Sequence, residues 1–290
     1  MNRKQLVGIF EITLGSLGFG FLGIFGKWAF ASGLGVGELL TYRFIVAAVL
    51  LWLGLFVISR DKISIQWPQL LISAGLGVFG YAVFATLYFT AIQGMSVGLA
   101  ALLLYTYPFW VSLLGHFFLR ERMTHSQWLL LLGALIGVAC LLWGQFQLNN
   151  SISLIAGLGS AVTYAVYILF SARYQRNVKP ISSSLYVITF AAIALACYHH
   201  PNLEFWKVLS GRQWQLILGI STISTILPMT LILAGLQKLK SAQAALITML
   251  EPVAATIAAG ILLHENMSGL QIVGATVVIT CLVLSILRKS

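Results

Sequence analysis

Between Lys240 and Glu265 the chain carries a helix-length apolar run with one charge in it, Glu251, followed directly by Pro252. About 20 apolar residues span the ~30 Å of hydrocarbon in a bilayer, and this run is longer than a soluble core helix needs. Only helices that satisfy their own backbone, or closed barrels, persist in hydrocarbon, so a chain built of such runs has few folds open to it. A carboxylate at mid-span costs ~2.5–3.5 kcal/mol on insertion scales and normally faces a bundle interior or water. Pro252 leaves the carbonyl of Thr248 without its helical donor, which predicts a kink or a polar partner nearby. Ala244, Thr248, Ala255 and Ala259 lie close to one face, so a neighbouring helix can approach tightly there.

The rest of the chain repeats the pattern. Ten apolar segments can be drawn, at 7–30, 37–59, 69–91, 97–119, 125–146, 152–173, 182–199, 213–236, 241–263 and 269–287. Charged residues make up 8% of the 290 and hydrophobic ones 59%, against about 25% charged in soluble domains. This is an integral membrane protein. The formal charge of +10 is dispersed in pairs between apolar runs, without a basic patch interleaved with aromatics, which excludes a nucleic-acid partner. Cys140, Cys197 and Cys281 each sit inside an apolar run without metal spacing and read as small core residues. Arg3 and Lys4 precede the first run, and Ala29-Phe30-Ala31 imitates a cleavage site. The run is far longer than a signal-peptide core, however, and contains Glu11 and Lys27. We read it as a retained first span.

Orientation follows from lysine and arginine. Alternate connections hold Arg3 and Lys4; Arg60 and Lys62; Arg120 and Arg122; Arg173, Arg176 and Lys179; Lys238 and Lys240; Arg288 and Lys289. The opposite connections hold only Lys207 and Arg212, while Lys27 and Arg43 lie within spans. Both termini are therefore expected on the cytoplasmic side of the inner membrane, which requires an even number of spans.

A shift of 144 aligns Thr86-Leu87 with Thr230-Leu231, Gln93 with Gln237, and Ala100-Ala101-Leu102 with Ala244-Ala245-Leu246. It also aligns Pro108 with Pro252, Glu121 with Glu265, Met123 with Met267, and Gln127 with Gln271. Thr124-His-Ser-Gln127 and Ser268-Gly-Leu-Gln271 both fit a capping box, with Met123–Trp128 and Met267–Ile272 as accompanying staples. The expected organisation is two repeats, 1–146 and 147–290. Each repeat holds five spans, and an odd number inverts one copy relative to the other, placing Glu121 and Glu265 on opposite sides. Inverted repeats around a midplane site are the construction of many secondary transporters.

At these residues the chain resembles the drug/metabolite transporter superfamily, in its ten-helix form built from two EamA-type repeats. The matching pieces are Gly26-Lys27, Leu39-Leu40-Thr41-Tyr42-Arg43-Phe44, Leu250-Glu251-Pro252, Leu263-His-Glu265 and Gln271-Ile-Val-Gly274. The first repeat departs from the pattern, with Tyr107-Pro108 where the second has Glu251-Pro252. The resemblance implies an all-α membrane protein of ten transmembrane helices, as two inverted five-helix repeats around a central cavity worked by alternating access. It also implies that spans four and five, and nine and ten, pack peripherally or support dimerisation, leaving monomer or homodimer open. Amino acids and other small metabolites, commonly exported, are the substrates it implies.

Glu251 is the sharpest candidate site residue, as a contact for a cationic group, a carrier of a coupling proton, or half of a structural pair. Arg43 is expected in an intramembrane ion pair with Glu38 or Glu251, with a substrate carboxylate as its alternative partner. Glu11 is read as a partner for a loop arginine or as exposed to cavity water. Tyr81, Tyr88, Tyr105 and Tyr164 carry hydroxyls at membrane depth that need partners, so they are the aromatics expected to line a substrate route. Tyr167, Phe84 and Trp110 read as packing; Trp67, Trp128 and Trp214 as interfacial anchors. Gly15, Gly18, Gly20, Gly23 and Gly26 allow close helix approach or bending. Gln93 and Gln237 read as helix-end amides, and His199-His200 lacks a third ligand for a metal.

The expected function is a secondary transporter of small metabolites, amino acids or related compounds, moving them by export across the cytoplasmic membrane. Its partners would be the substrate, membrane lipids and, if coupled, protons, with no cofactor. A flippase for a lipid-linked substrate keeps the fold and changes the cargo. A membrane-embedded enzyme would need clustered acids or His–acid pairs, and the seven acidic residues are scattered. No GxxxxGK[ST] phosphate loop is present to drive transport with ATP.

Overall fold

The computed structural model describes residues 2–144, 148, 150–202, 204–264 and 266–287. Among them nine helices are long and apolar enough to cross a membrane, and a tenth apolar helix is shorter. In chain order they are α1 (Arg3–Ala31), α2 (Val36–Ile58), α3 (Trp67–Gly94), α4 (Val97–Phe118), α5 (His125–Leu141, the shorter one), α6 (Ser151–Tyr174), α7 (Pro180–His199), α8 (Gly211–Leu236), α9 (Ser241–Leu262) and α10 (Gly269–Leu287). No strand forms among the described residues beyond an isolated bridge between Met95 and Leu148. Glu265, Arg288, Lys289 and the repeat boundary at 146/147 lie outside the described residues.

Helix starts are written locally. Thr124 and Gln127 close the expected capping box on α5, and Ser268 and Gln271 close the one on α10. Asn2 with Gln5 and Ser210 with Gln213 use the same device on α1 and α8. The offset of 144 reappears in these starts: Val36 and Pro180, Trp67 and Gly211, Val97 and Ser241, His125 and Gly269. It reaches into helix interiors as well. A π-helical segment interrupts α3 at Leu76–Ala82 and α8 at Thr222–Ile226. In α8 the cause is Pro228, which cannot donate to the preceding turn; Ser224 leaves helical geometry (φ −113, ψ 16), and its hydroxyl donates instead to the carbonyl of Gly18.

Packing sorts the rods into two groups. α1 lies against α8 and α9, while α6 lies against α3 and α4. Each group therefore mixes helices from both halves of the chain, and the offset of 144 turns one group into the other. α2 and α7 pack on each other and join the groups through α8 and α3 respectively. α5 pairs with α10. This corrects the expectation for spans four and nine: α4 and α9 line the centre, and only α5 and α10 stand aside together. The reason is steric. Gly20 of α1 lets the α9 backbone come close enough that a methyl group at Gly20 would sit 2.7 Å from Ala254 Cβ. α5 and α10 spend their own small residues on each other, as the 2.8 Å from a Cβ at Gly137 to Val278 shows.

Connections gather at two ends. At the basic end, Lys179 pairs with Asp61 at 2.5 Å, which holds the exposed Asp61 carboxyl below the usual carboxylate range. Ser182 donates to the Lys62 carbonyl, and Arg173 to that of Phe118. Glu11 pairs there with Lys238 at 2.7 Å, a lysine rather than the expected arginine. At the opposite end Tyr42 donates to the Asn202 carbonyl, and Gln213 to that of Ser32. Gln237 is a helix-end amide as expected, donating to the carbonyls of Gln175 and Val178.

Candidate functional site

α4 and α9 are each broken in the middle. α9 consists of Ser241–Ile247 and Leu250–Leu262; α4 of Val97–Leu104 and Tyr107–Phe118. The prolines are responsible, each just inside the second segment, where its missing N–H costs nothing. The Thr248 carbonyl is not left bare, for it accepts the N–H of Glu251 at 3.0 Å. The break therefore resolves the predicted orphan by tightening the turn, and it places Glu251 in the first turn of the second segment.

Glu251 is half-buried at this break. The Tyr105 hydroxyl lies beside its carboxylate. Arg43 and the hydroxyls of Tyr81, Tyr88, Tyr107 and Tyr164 are near enough to feel its charge. All four tyrosines singled out from sequence thus lie in the neighbourhood of one carboxylate. Tyr88 is half-buried, whereas Tyr81, Tyr105 and Tyr164 are buried. The rings of Tyr81, Tyr88 and Tyr164 form a continuous wall with Phe84: Tyr164 lies 4.6 Å from Phe84 and 4.8 Å from Tyr107, Tyr81 lies 5.3 Å from Phe84, and Tyr88 stacks on Phe84 at 6.4 Å.

Arg43 does not fulfil its expected role. No carboxylate of a described residue lies within ion-pair distance of it, and Glu38 instead accepts the N–H of Gly35 at 2.9 Å. Arg43 is 5% exposed, and its guanidinium lies near the Tyr81 hydroxyl and 4.8 Å from the Phe44 ring centre. Its Nε has no partner. Arg43 and Glu251 thus lie near enough to feel each other's charge in a low-dielectric setting without forming a direct pair. A carboxylate beside π faces suits an ammonium group; a guanidinium with an unused donor suits a carboxylate.

Tyr107 and Thr248 were missed as site residues. Their hydroxyls are hydrogen-bonded to each other, joining α4 to α9 next to Glu251. The signal was present, because Tyr107 occupies the position equivalent to Glu251 under the offset of 144. Trp110 stays outside the cluster and packs on Phe109 at 5.5 Å. Trp128 likewise packs on Phe109, whereas Trp67 is exposed as an interfacial anchor would be. Among the described residues no three His, Cys, Asp or Glu side chains gather as a metal centre.

The whole chain superposes on a crystal structure with a TM-score of 0.79, 18% identity and 99% of each chain covered, which establishes the fold. An uncharacterized transporter, YcbK of Bacillus subtilis, is 26% identical across 94% of this chain and 90% of its own. A probable amino-acid metabolite efflux pump of Salmonella typhimurium is 26% identical over 80% of both chains. Threonine/homoserine exporter RhtA of the same species is 28% identical over 73% of this chain and 68% of its own. The model of the EamA-like transporter family matches twice, at residues 6–143 and 151–287. With two such matches spanning an all-helical, multi-pass membrane chain, the protein is a transporter that belongs to the EamA-like transporter family.

Proposed function

We propose that the protein is a secondary carrier that exports small zwitterionic metabolites, amino acids foremost, across the cytoplasmic membrane by alternating access. The observation that carries this reading is the half-buried Glu251, ringed by tyrosines at the paired breaks of α4 and α9. Glu251 takes the ammonium group, Arg43 the carboxylate, and Tyr81, Tyr88, Tyr105 and Tyr164 the body of the substrate. The repeats 1–146 and 147–290 run in opposite senses with both termini cytoplasmic, and the α1/α8/α9 group rocks against α3/α4/α6. Support comes from the exchange of the two groups under one offset and from the names of two relatives, an amino-acid metabolite efflux pump and a threonine/homoserine exporter. Glu251 also offers a proton-binding group, so coupling to a proton gradient belongs to the same proposal.

Counterflow in proteoliposomes, with a panel of amino acids and their derivatives and with or without a pH gradient, tests it. Saturable exchange of an amino acid that Glu251→Gln abolishes is the expected result. Absence of exchange across the panel, with lipid-linked analogues translocated instead, would replace this reading with a flippase.

A further inference from the structure

The seam between the two groups is not alike at its two ends. At the basic end Tyr107–Phe118 of α4 packs against Ser241–Ile247 of α9. The counterpart segments under the offset of 144, Leu250–Leu262 and Val97–Leu104, share no comparable packing. The bundle is therefore drawn together on the basic side of Glu251 and parted on the other.

One side chain spans the closed part from beyond the end of α4. Glu121 accepts the backbone N–H of Ser241 at 3.1 Å and of Ala242 at 3.4 Å, and the Ser241 hydroxyl at 3.4 Å. Ser241 and Ala242 are 1% and 8% exposed, so these donors have little access to water. Leaving a buried donor unpaired is costly, and a charged acceptor makes the stronger bond. The reach depends on backbone geometry. Arg120 adopts left-handed φ (+54°), and the N–H of Glu121 returns to the Gly115 carbonyl at 3.1 Å, which turns the chain out of α4 towards α9. The same left-handed turn recurs at His264 (φ +55°), 144 positions on. Glu11 with Lys238 crosses the same end of the bundle, while Tyr107 with Thr248 joins α4 to α9 nearer its middle.

We infer that Glu121 is a positioning residue that holds the α4–α9 seam shut at the basic end and so sets which side of the membrane the Glu251 site faces. The inference rests on the carrier reading above. When the seam opens, Glu121 must give up Ser241 and Ala242, so this contact weights the equilibrium between the two facings. Tyr107–Thr248 lies closer to Glu251, and Glu11–Lys238 ties α1 to the connection between α8 and α9; neither contact supplies an acceptor to the first donors of α9.

Sided labelling tests it. Leu104→Cys is placed in a background lacking Cys140, Cys197 and Cys281, and a membrane-impermeant maleimide is offered from either face. Glu121→Ala is expected to raise the labelling rate from the basic face about tenfold and to lower it from the other, as loss of charge-assisted hydrogen bonds implies. Ser241→Pro removes the donor and keeps the acceptor, and proline is tolerated at the first helical position; it is expected to act in the same direction. Glu121→Asp should lie between Glu121→Ala and the parent. Unchanged rates in both variants, each eluting as a single folded species, overturn the inference. So does a change in Glu121→Ala without one in Ser241→Pro, because the effect then arises elsewhere. Failure of the carrier reading is seen separately, as absence of counterflow in the parent protein whatever the labelling shows.

Discussion

Tyr107 and Thr248 share a hydrogen bond between hydroxyls contributed by the two broken helices, α4 and α9, beside the carboxylate of Glu251. Thr248 also donates to the Ala245 carbonyl at 2.7 Å, so its hydroxyl belongs to the break itself. The pair couples the two prolines' distortions to the one charged group at the centre of α9.

Tyr107→Phe removes this bond and keeps the ring against Tyr164. A neutral hydrogen bond contributes about 0.5–1.5 kcal/mol net, so detergent-solubilised protein should melt only a few degrees lower. Counterflow should change in maximal rate more than in half-saturation, because the hydroxyl joins helices and leaves the ammonium site intact. A thermal-shift series run beside transport kinetics checks both.

Glu251→Gln keeps the shape of the side chain and removes its charge. Membrane insertion and melting temperature should hold, while counterflow of amino acids falls to background. Normal transport by this variant at every pH would show that the carboxylate serves neither substrate nor proton.

Arg43→Met replaces a buried cation that has an unpaired Nε. Burying a charge without an ion-pair partner costs stability, so the melting temperature should stay level or rise. Transport of zwitterions should drop while binding of amines without a carboxylate survives. Retained amino-acid transport would assign Arg43 to packing alone.

Two glycines of α1 separate packing from tolerance. A Cβ at Gly20 meets Ala254 at 2.7 Å and the Glu251 carbonyl at 3.2 Å, whereas one at Gly23 meets nothing within 4 Å. Gly20→Val should destabilise by about 1–3 kcal/mol through overpacking, lowering yield and melting temperature. Gly23→Ala should be silent in both measurements.

Most of what is local was readable in the residues. Helix limits agree within a few positions, the capping boxes of α5 and α10 close as expected, and both prolines break their helices. The tyrosines chosen for their buried hydroxyls do converge on Glu251, because a phenol at membrane depth must find a polar neighbour and few exist. Arg43 was misjudged for the converse reason. Its charge called for an anion, but the adjacent Phe44 ring and Tyr81 of α3 lie against it instead, and the second of these only the packing of helices decides.

By itself the chain determined that it would be a set of long apolar helices, roughly where each begins and stops, and that one bends at Pro252. Those outcomes depend on apolar length and on hydrogen bonds made within a segment. Tertiary structure alone decided that α1 joins α8 and α9 while α6 joins α3 and α4, that α4 and α9 line the centre, and that Glu121 closes on Ser241. In lipid an apolar face carries no instruction about its partner, since hydrocarbon and leucine are alike. Steric fit between small residues and a few polar contacts select the neighbours, and these exist only once the helices are side by side.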